Sequence, residues 1–382
     1  MKILTAGVSV RAMAESAAKS GYPVVALDAF GDFDLRSFCE GYSLARDFQV
    51  FYSANGLLRA SRTLEFDALA YTANLENFPG VVKNFSRSAI VLGNGAEVLE
   101  RVRNWPALSA FLGQAGFKTP AALYEGDPLP IPGDGRWLKK PLRSGGGRHV
   151  SFWSPGRRVG KNFLLQEFLP GFACSASFVA NGREAMVIGL TEQLIGLPDY
   201  GGHRFWYCGN LLPLGAELCG SSFQDILVQA QRMASLLTRE FSLTGVNGID
   251  FILMGDQVCP IEVNPRYGAS MELIEQAYGL PIFDLHFRAV TAGELPQFDL
   301  SSRKAPPERY FAKTILYAEK DAIAPDTSGW MERRIRDIPH PGERLVKGQP
   351  ICTLYAEGGS REECLANLAG AREALKREIY GG

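Results

Sequence analysis

Three stretches of the chain combine residue types at spacings that could do chemistry. The first is Trp137-Leu138-Lys139-Lys140-Pro141, followed at once by Leu142-Arg143-Ser144-Gly145-Gly146-Gly147-Arg148. Successive glycines let a backbone approach a polyanion closely, and consecutive N–H groups in such a turn form an anion-binding nest. Lys140 adds the point charge that phosphate oxygens attract. The same string also occurs as a plain flexible connection, so it decides nothing alone. The second is Gly248-Ile249-Asp250-Phe251-Ile252-Leu253 with Ile261-Glu262-Val263-Asn264-Pro265-Arg266, joined through a Gly255-Asp256 turn. A hairpin there puts Asp250 and Glu262 on paired strands, and Glu262 and Asn264 on one face, because strand side chains repeat every two residues. Three hard oxygen donors then converge as Mg²⁺ requires, with Mn²⁺ as a substitute. Asp250 or Glu262 singly would read as a solvent-facing strand position; the three together with Arg266 do not. The third is Phe163-Leu164-Leu165-Gln166-Glu167-Phe168-Leu169-Pro170-Gly171. Exposed backbone flanked by apolar side chains matches the edge of adenine, although an ordinary edge strand reads the same way.

These stretches need elements to hold them. From Met1 to about Ile90, short β-branched runs alternate with helical ones, the pattern of β-α-β units on a parallel sheet. Strands are expected at Lys2–Ala6, Tyr22–Asp28, Phe66–Tyr71 and Ser88–Gly93, and a helix at Val10–Ser20. Lys2 followed by Ile3–Val10 is too short an apolar run for a secretory leader and reads as the first strand. Trp105–Ala115 reads as a helix capped by Asn104. Gly126–Gly135, with Pro128, Pro130 and Pro132, reads as a loop. Strands follow at 136–141, 149–153, 163–168, 175–180 and 185–194. Next come a long amphipathic helix at Phe223–Phe241 and strands at 246–253 and 257–263. Glu294–Arg309 reads as a linker, and the rest supplies strands at 311–317 and 349–355 and a helix at 360–379.

Composition limits the partners. With 40 Lys plus Arg against 41 Asp plus Glu the net charge is -1, which forces no basic face and disfavours nucleic acid. No apolar run reaches the ~18 residues of a membrane span. Seven cysteines without CxxC spacing, and four scattered histidines, suit reduced thiols in the cytoplasm better than disulfides or a zinc site.

The order of the three stretches, from lysine and glycine loop through Gln-Glu-Phe-Leu-Pro-Gly to the aspartate hairpin with Glu-Val-Asn-Pro-Arg, resembles the ATP-grasp superfamily. The resemblance covers about Asn94 to Leu300. It implies a mixed α/β and α+β chain of three parts: a Rossmann-like domain over 1–93, a two-subdomain ATP-grasp domain over 94–300, and a small α+β segment over 301–382 packed on it. Gly7-Val8-Ser9-Val10-Arg11, Leu27-Asp28-Ala29-Phe30-Gly31-Asp32 and Cys174-Ser175-Ala176-Ser177-Phe178 look closest to the carboligases related to biotin carboxylase, a group that includes tyramine–glutamate ligase. By that resemblance Lys140 holds ATP phosphates, Ser144, Gly145, Gly146 and Gly147 fold over them, and Gln166, Glu167, Phe168 and Leu169 take the adenine. Asp250, Glu262 and Asn264 carry Mg²⁺, and Arg266 stabilises the transferring phosphoryl group. Two departures stand out. The superfamily's lysine ahead of the 105–115 helix has only Arg101 and Arg103 as counterparts, and Phe172-Ala173-Cys174 stands where a ribose-binding glutamate is common.

The implied reaction activates a carboxylate as an acyl phosphate for attack by an amine. The partners are a small-molecule acid and amine, with no nucleic acid or membrane; a dimer is compatible. Ser9 and Arg11, after the first strand, lie where ligands meet parallel sheets. Arg204, Tyr207 and Asn210, in an aromatic, glycine-rich stretch, could close on the acid. Core packing and solvation explain the same residues equally well. The competing functions are biotin-carboxylase-like carboxylation and a silent ATP-binding regulatory subunit.

Overall fold

The computed structural model describes residues 1–130, 135–215, 223–302 and 309–381. Cys219, the middle of the 126–135 loop and part of the 294–309 linker lie outside them.

Ile3–Ala6, Val24–Asp28 and Ala68–Tyr71 are apolar on both faces and buried throughout, as strands of a parallel sheet covered by helices must be. With Glu40–Ser43 and Ile90–Val91 at the edges they form a five-stranded parallel sheet. Glu40–Ser43 was not expected, because Glu-Gly-Tyr-Ser carries no strand pattern; it pairs along Val25–Asp28 as an edge. The first helix, Arg11–Lys19, buries Met13, Ala14 and Ala17.

The remaining described chain builds a short two-stranded sheet, Ala322–Ile323 with Arg344–Leu345, and two further antiparallel sheets. The smaller has the order Ala122–Leu123, Phe163–Glu167, Trp137–Pro141, Ser151–Phe152. The larger has eight strands: Gln257–Asn264, Thr244–Met254, Phe172–Asn181, Ala185–Ile195, Tyr207–Leu212, Tyr310–Tyr317, Pro350–Gly358 and Ile335–Arg336. Strands from the last part of the chain therefore continue the same sheet. Helix Phe223–Phe241 covers one face, burying Ile226, Ala230, Met233, Leu237 and Phe241 at helical spacing against Phe178, Leu190 and Phe251. Helices Met271–Tyr278 and Ile282–Ala292 fill the other face and join it to the parallel sheet and its first helix in one apolar cluster with Ile3, Met13 and Ala17. Among the described residues no helix is long and apolar enough to cross a membrane, and Cys39, Cys208, Cys259, Cys352 and Cys364 are free thiols.

At that junction sits His286, fully enclosed. Its Nδ1 accepts from the Val246 N–H at 2.9 Å and its Nε2 donates to the Leu92 carbonyl at 3.1 Å, so both nitrogens are used by the neutral ring. Burial lowers its pKa from the ordinary 6.5 to about 4. An unfolded chain takes up this proton below about pH 6.5 while the folded one refuses it. This site should therefore cost up to ~3 kcal/mol as pH falls from 6.5 to 4. Urea unfolding of wild type and His286→Gln at pH 7, 5 and 4 checks this; parallel losses in both would contradict it.

Candidate active site

The hairpin of Thr244–Met254 and Gln257–Asn264 sets Asp250 directly opposite Glu262 and Asn264 opposite Gly248. A register shift between Asp250 and Phe251 lies beside the pair. Asp250 accepts from Gln193 Nε2 and Asn264 Nδ2, each at 2.9 Å. Burial and the facing Glu262 push its carboxyl up to about 6. Burial also works to raise Glu262, but Arg103 and Lys140 outweigh it and hold the group below the usual range. The Arg103 Nη1 donates to Glu262 Oε1 at 2.7 Å, and its Nη2 to Asn77 Oδ1 at 2.7 Å.

Lys140, on the smaller sheet, faces this pair. Its Nζ donates to Gln166 Oε1 at 2.9 Å, and desolvation lowers its pKa. Lys139 points the other way, over the Phe163 ring and toward the Arg158 carbonyl, as strand alternation requires. Arg266 reaches back from the end of the hairpin: Nη2 donates to Asn264 Oδ1 at 3.1 Å and Nε to Glu76 Oε1 at 3.1 Å. Three cations and three carboxylates, Glu76 with Asp250 and Glu262, thus share one cleft where the two sheets meet. The donor set suits a hard cation: two carboxylates and an amide oxygen. Among the described residues no three His, Cys, Asp or Glu side chains are grouped so as to hold a metal ion by themselves.

The hinge Glu167–Leu169 is partly used up internally. The Glu167 N–H donates to the Ala121 carbonyl and the Phe168 N–H to the Arg136 carbonyl, both at 2.8 Å. Glu167 Oε2 accepts from the Ala121 N–H at 3.1 Å. Leu169 is buried and Glu167 half-buried. In the glycine loop the Gly146 carbonyl accepts from Tyr207 N–H at 3.0 Å. At Gly147, φ is 68° and a Cβ would lie 1.7 Å from the Phe205 carbonyl oxygen, so only glycine fits.

A polar stripe crosses the larger sheet from the carboxylates. Cross-strand partners share a face, and Asp250 pairs with Ser175, Ser175 with Thr191, Gln193 with Asn210, and Asn210 with Lys313. Ser175 bonds Thr191 at 2.8 Å, Asn210 donates to Thr191 at 2.9 Å, and the Tyr207 hydroxyl donates to Asn210 Oδ1. Tyr207 and Asn210 thus stand on the floor of the cleft.

One expectation for the acid, Arg11, is corrected. Arg11 is buried and committed: Nη1 meets Glu15 at 2.8 Å and Glu272, while Nε meets Asp337 at 3.0 Å and Asp34 at 3.6 Å. A guanidinium so engaged ties the first helix to the 271–278 helix and to Asp337, and cannot also grip a substrate. Arg204 lies exposed at φ 51°, and its carbonyl oxygen would sit 1.9 Å from a Cβ on Gly196, so its backbone shapes a turn. Ser9 is exposed, with its carbonyl accepting from Thr72 at 3.0 Å.

Glu76 and Asn77 were missed. They follow the strand Ala68–Tyr71 at the carboxyl edge of the parallel sheet, which is where ligands meet such sheets, and that position was the available signal. Both are buried beside Arg266 and Arg103, and among the described residues Glu76 Oε2 and Asn77 Nδ2 have no hydrogen-bond partner.

Residues 105–270, which contain the lysine strand, the glycine loop and the carboxylate hairpin, match the family described as ATP-grasp domain. This middle part of the chain is thus similar to the ATP-grasp domain. An uncharacterized protein of Methanocaldococcus jannaschii is 23% identical over 381 residues, covering 94% of this chain and 88% of that one. The fold is shared with the biotin carboxylase domain of Hydrogenobacter thermophilus 2-oxoglutarate carboxylase, solved as a dimer with MgADP, ADP and bicarbonate. Its TM-score is 0.72 at 14% identity, over 99% of this chain and 90% of that one. It is shared equally with the L-amino acid ligase of Bacillus licheniformis, with TM-score 0.66 at 13% identity over 99% and 98%. The parallel first sheet followed by antiparallel ATP-grasp sheets matches both over almost their whole length.

Proposed function

We propose that the protein is an ATP-dependent carboxylate–amine ligase, akin to the carboligases of the tyramine–glutamate ligase group. The observation that carries this reading is the cleft in which Lys140, Arg103 and Arg266 face Asp250, Glu262 and Asn264. Lys140 and the Ser144–Gly147 loop hold the phosphates of ATP, and the hinge through Leu169 takes the base, chiefly by the Leu169 backbone. Asp250, Glu262 and Asn264 hold Mg²⁺, which when bound offsets phosphate charge. Arg266, oriented by Glu76 and Asn264, stabilises the transferring group. An oxygen of the substrate carboxylate takes the γ-phosphoryl group and ADP leaves. The amine nitrogen then attacks the carbonyl, releasing phosphate and a proton, so no protein nucleophile is needed.

The stripe of Ser175, Thr191, Gln193, Asn210 and Tyr207 supports an organic acceptor, since it extends neutral hydrogen-bonding groups away from the carboxylates. Glu76 Oε2 supports an amine, being a buried acceptor beside Arg266 with no hydrogen-bond partner among the described residues. The likeness to a biotin carboxylase domain favours a second reading, carboxylation through carboxyphosphate.

A screen of acids and amines for ADP release separates the two. With the acid so found, hydroxylamine in place of the amine should trap the acyl phosphate as a hydroxamate. ADP release driven by bicarbonate alone would favour the carboxylase, and acid-dependent ADP release without hydroxamate would sink the acyl-phosphate step.

A further inference from the structure

The glycine loop carries a fastening that the nucleotide site alone does not explain. Arg148, the residue after the last glycine, lays its guanidinium over the Trp206 ring at 4.2 Å and lies 5.6 Å from the Tyr317 centroid. Its Nη2 donates to the Gly348 carbonyl at 3.1 Å. Trp206 in turn packs on Tyr317 at 5.4 Å between centroids, and the Tyr317 hydroxyl donates to the Tyr207 carbonyl at 2.8 Å. Loop residues 146, 147 and 148 therefore each meet the 205–207 segment: by a backbone hydrogen bond, by close backbone contact and by cation–π stacking. Tyr207 is common to both sides of the cleft, because its amide holds Gly146 while its hydroxyl donates to Asn210 on the acceptor floor.

We propose that Arg148 is a positioning residue, which acts through Trp206 to hold the glycine loop at the height the nucleotide phosphates require and to tie that loop to the acceptor side of the cleft. This rests on the reading of the cleft as a nucleotide site. An arginine that touched phosphate itself would work independently of Trp206. One that acts by stacking on the indole loses its effect once the indole is gone, which a double-mutant cycle resolves.

Calorimetric titration of the full chain with AMP-PNP and Mg²⁺ is the test. Arg148→Ala and Trp206→Ala should each weaken binding by about 5- to 10-fold, the worth of one stacked cation. The double variant should be no weaker than the poorer single one. Trp206→Phe, which keeps a ring face for the guanidinium, should retain affinity within about twofold. It also serves as the folded control should Trp206→Ala lose its native circular dichroism. Unchanged affinity in Arg148→Ala, or losses that multiply in the double variant, would overturn the proposal while leaving the nucleotide reading intact. Absence of AMP-PNP binding by wild type would remove both.

Discussion

Glu262→Gln should lower Mg²⁺-dependent ADP release by about a thousandfold, the scale on which a single electrostatic contact to a transferring phosphoryl group is felt. The carboxylate is ionised, held below the usual range against burial by Arg103 and Lys140. It is also the strand partner of Asp250, so no neighbour can replace it. Glutamine keeps the shape and a hydrogen bond to Arg103 but removes the charge. The fold should survive, because the change also relieves the repulsion that helps push the Asp250 carboxyl up to about 6. Turnover at saturating ATP, with thermal melting alongside, is the measurement. Near wild-type ADP release in a folded variant would remove Glu262 from the metal set.

Arg11→Met should unfold the protein more easily without touching nucleotide affinity. Arg11 answers Glu15, Asp34, Glu272 and Asp337 from three separate regions of the chain, and it is 1% exposed. Lys313 supports only Glu272, at 3.1 Å, and Asp34 has backbone donors at Asp337 and Ile338. Removing the shared cation leaves buried charge uncompensated, a loss of about 3–5 kcal/mol in comparable cases. Urea unfolding should show that loss, with AMP-PNP affinity unchanged. A selective rise in the Michaelis constant for the acid, with an unchanged unfolding midpoint, would return Arg11 to the substrate site.

The contrast between these two residues shows what the sequence could reveal. Asp250, Glu262, Asn264 and Arg266 were legible because a hairpin fixes their relation over seventeen residues, with a period of two and one glycine turn. The strands 244–254 and 310–317, and helix 223–241, were legible for the same local reason. Arg11 was not, because its role is set by Asp337 at a separation of 326 residues, and nothing near Arg11 encodes that neighbour. Glu76 and Asn77 lay in a short turn whose local pattern says only that the chain bends. Their meaning comes from Arg266 and Arg103, brought to them by packing of the parallel sheet and its first helix against helices 271–278 and 282–292. Glu40–Ser43 is a strand by virtue of its neighbour alone.

Strands 310–317 and 350–358 extend the sheet that carries Asp250, and Asp337 closes on Arg11 from between them. Synthesis runs from the amino end, so the ribosome releases the carboxylate hairpin well before the strands that finish its sheet. Until they arrive, Tyr207–Leu212 is a raw edge and the anionic surroundings of Arg11 are half assembled. Such a chain should finish folding only after its last strands emerge. A nascent chain stalled before residue 310 should be cut readily by protease within the 207–212 strand, where the released protein resists.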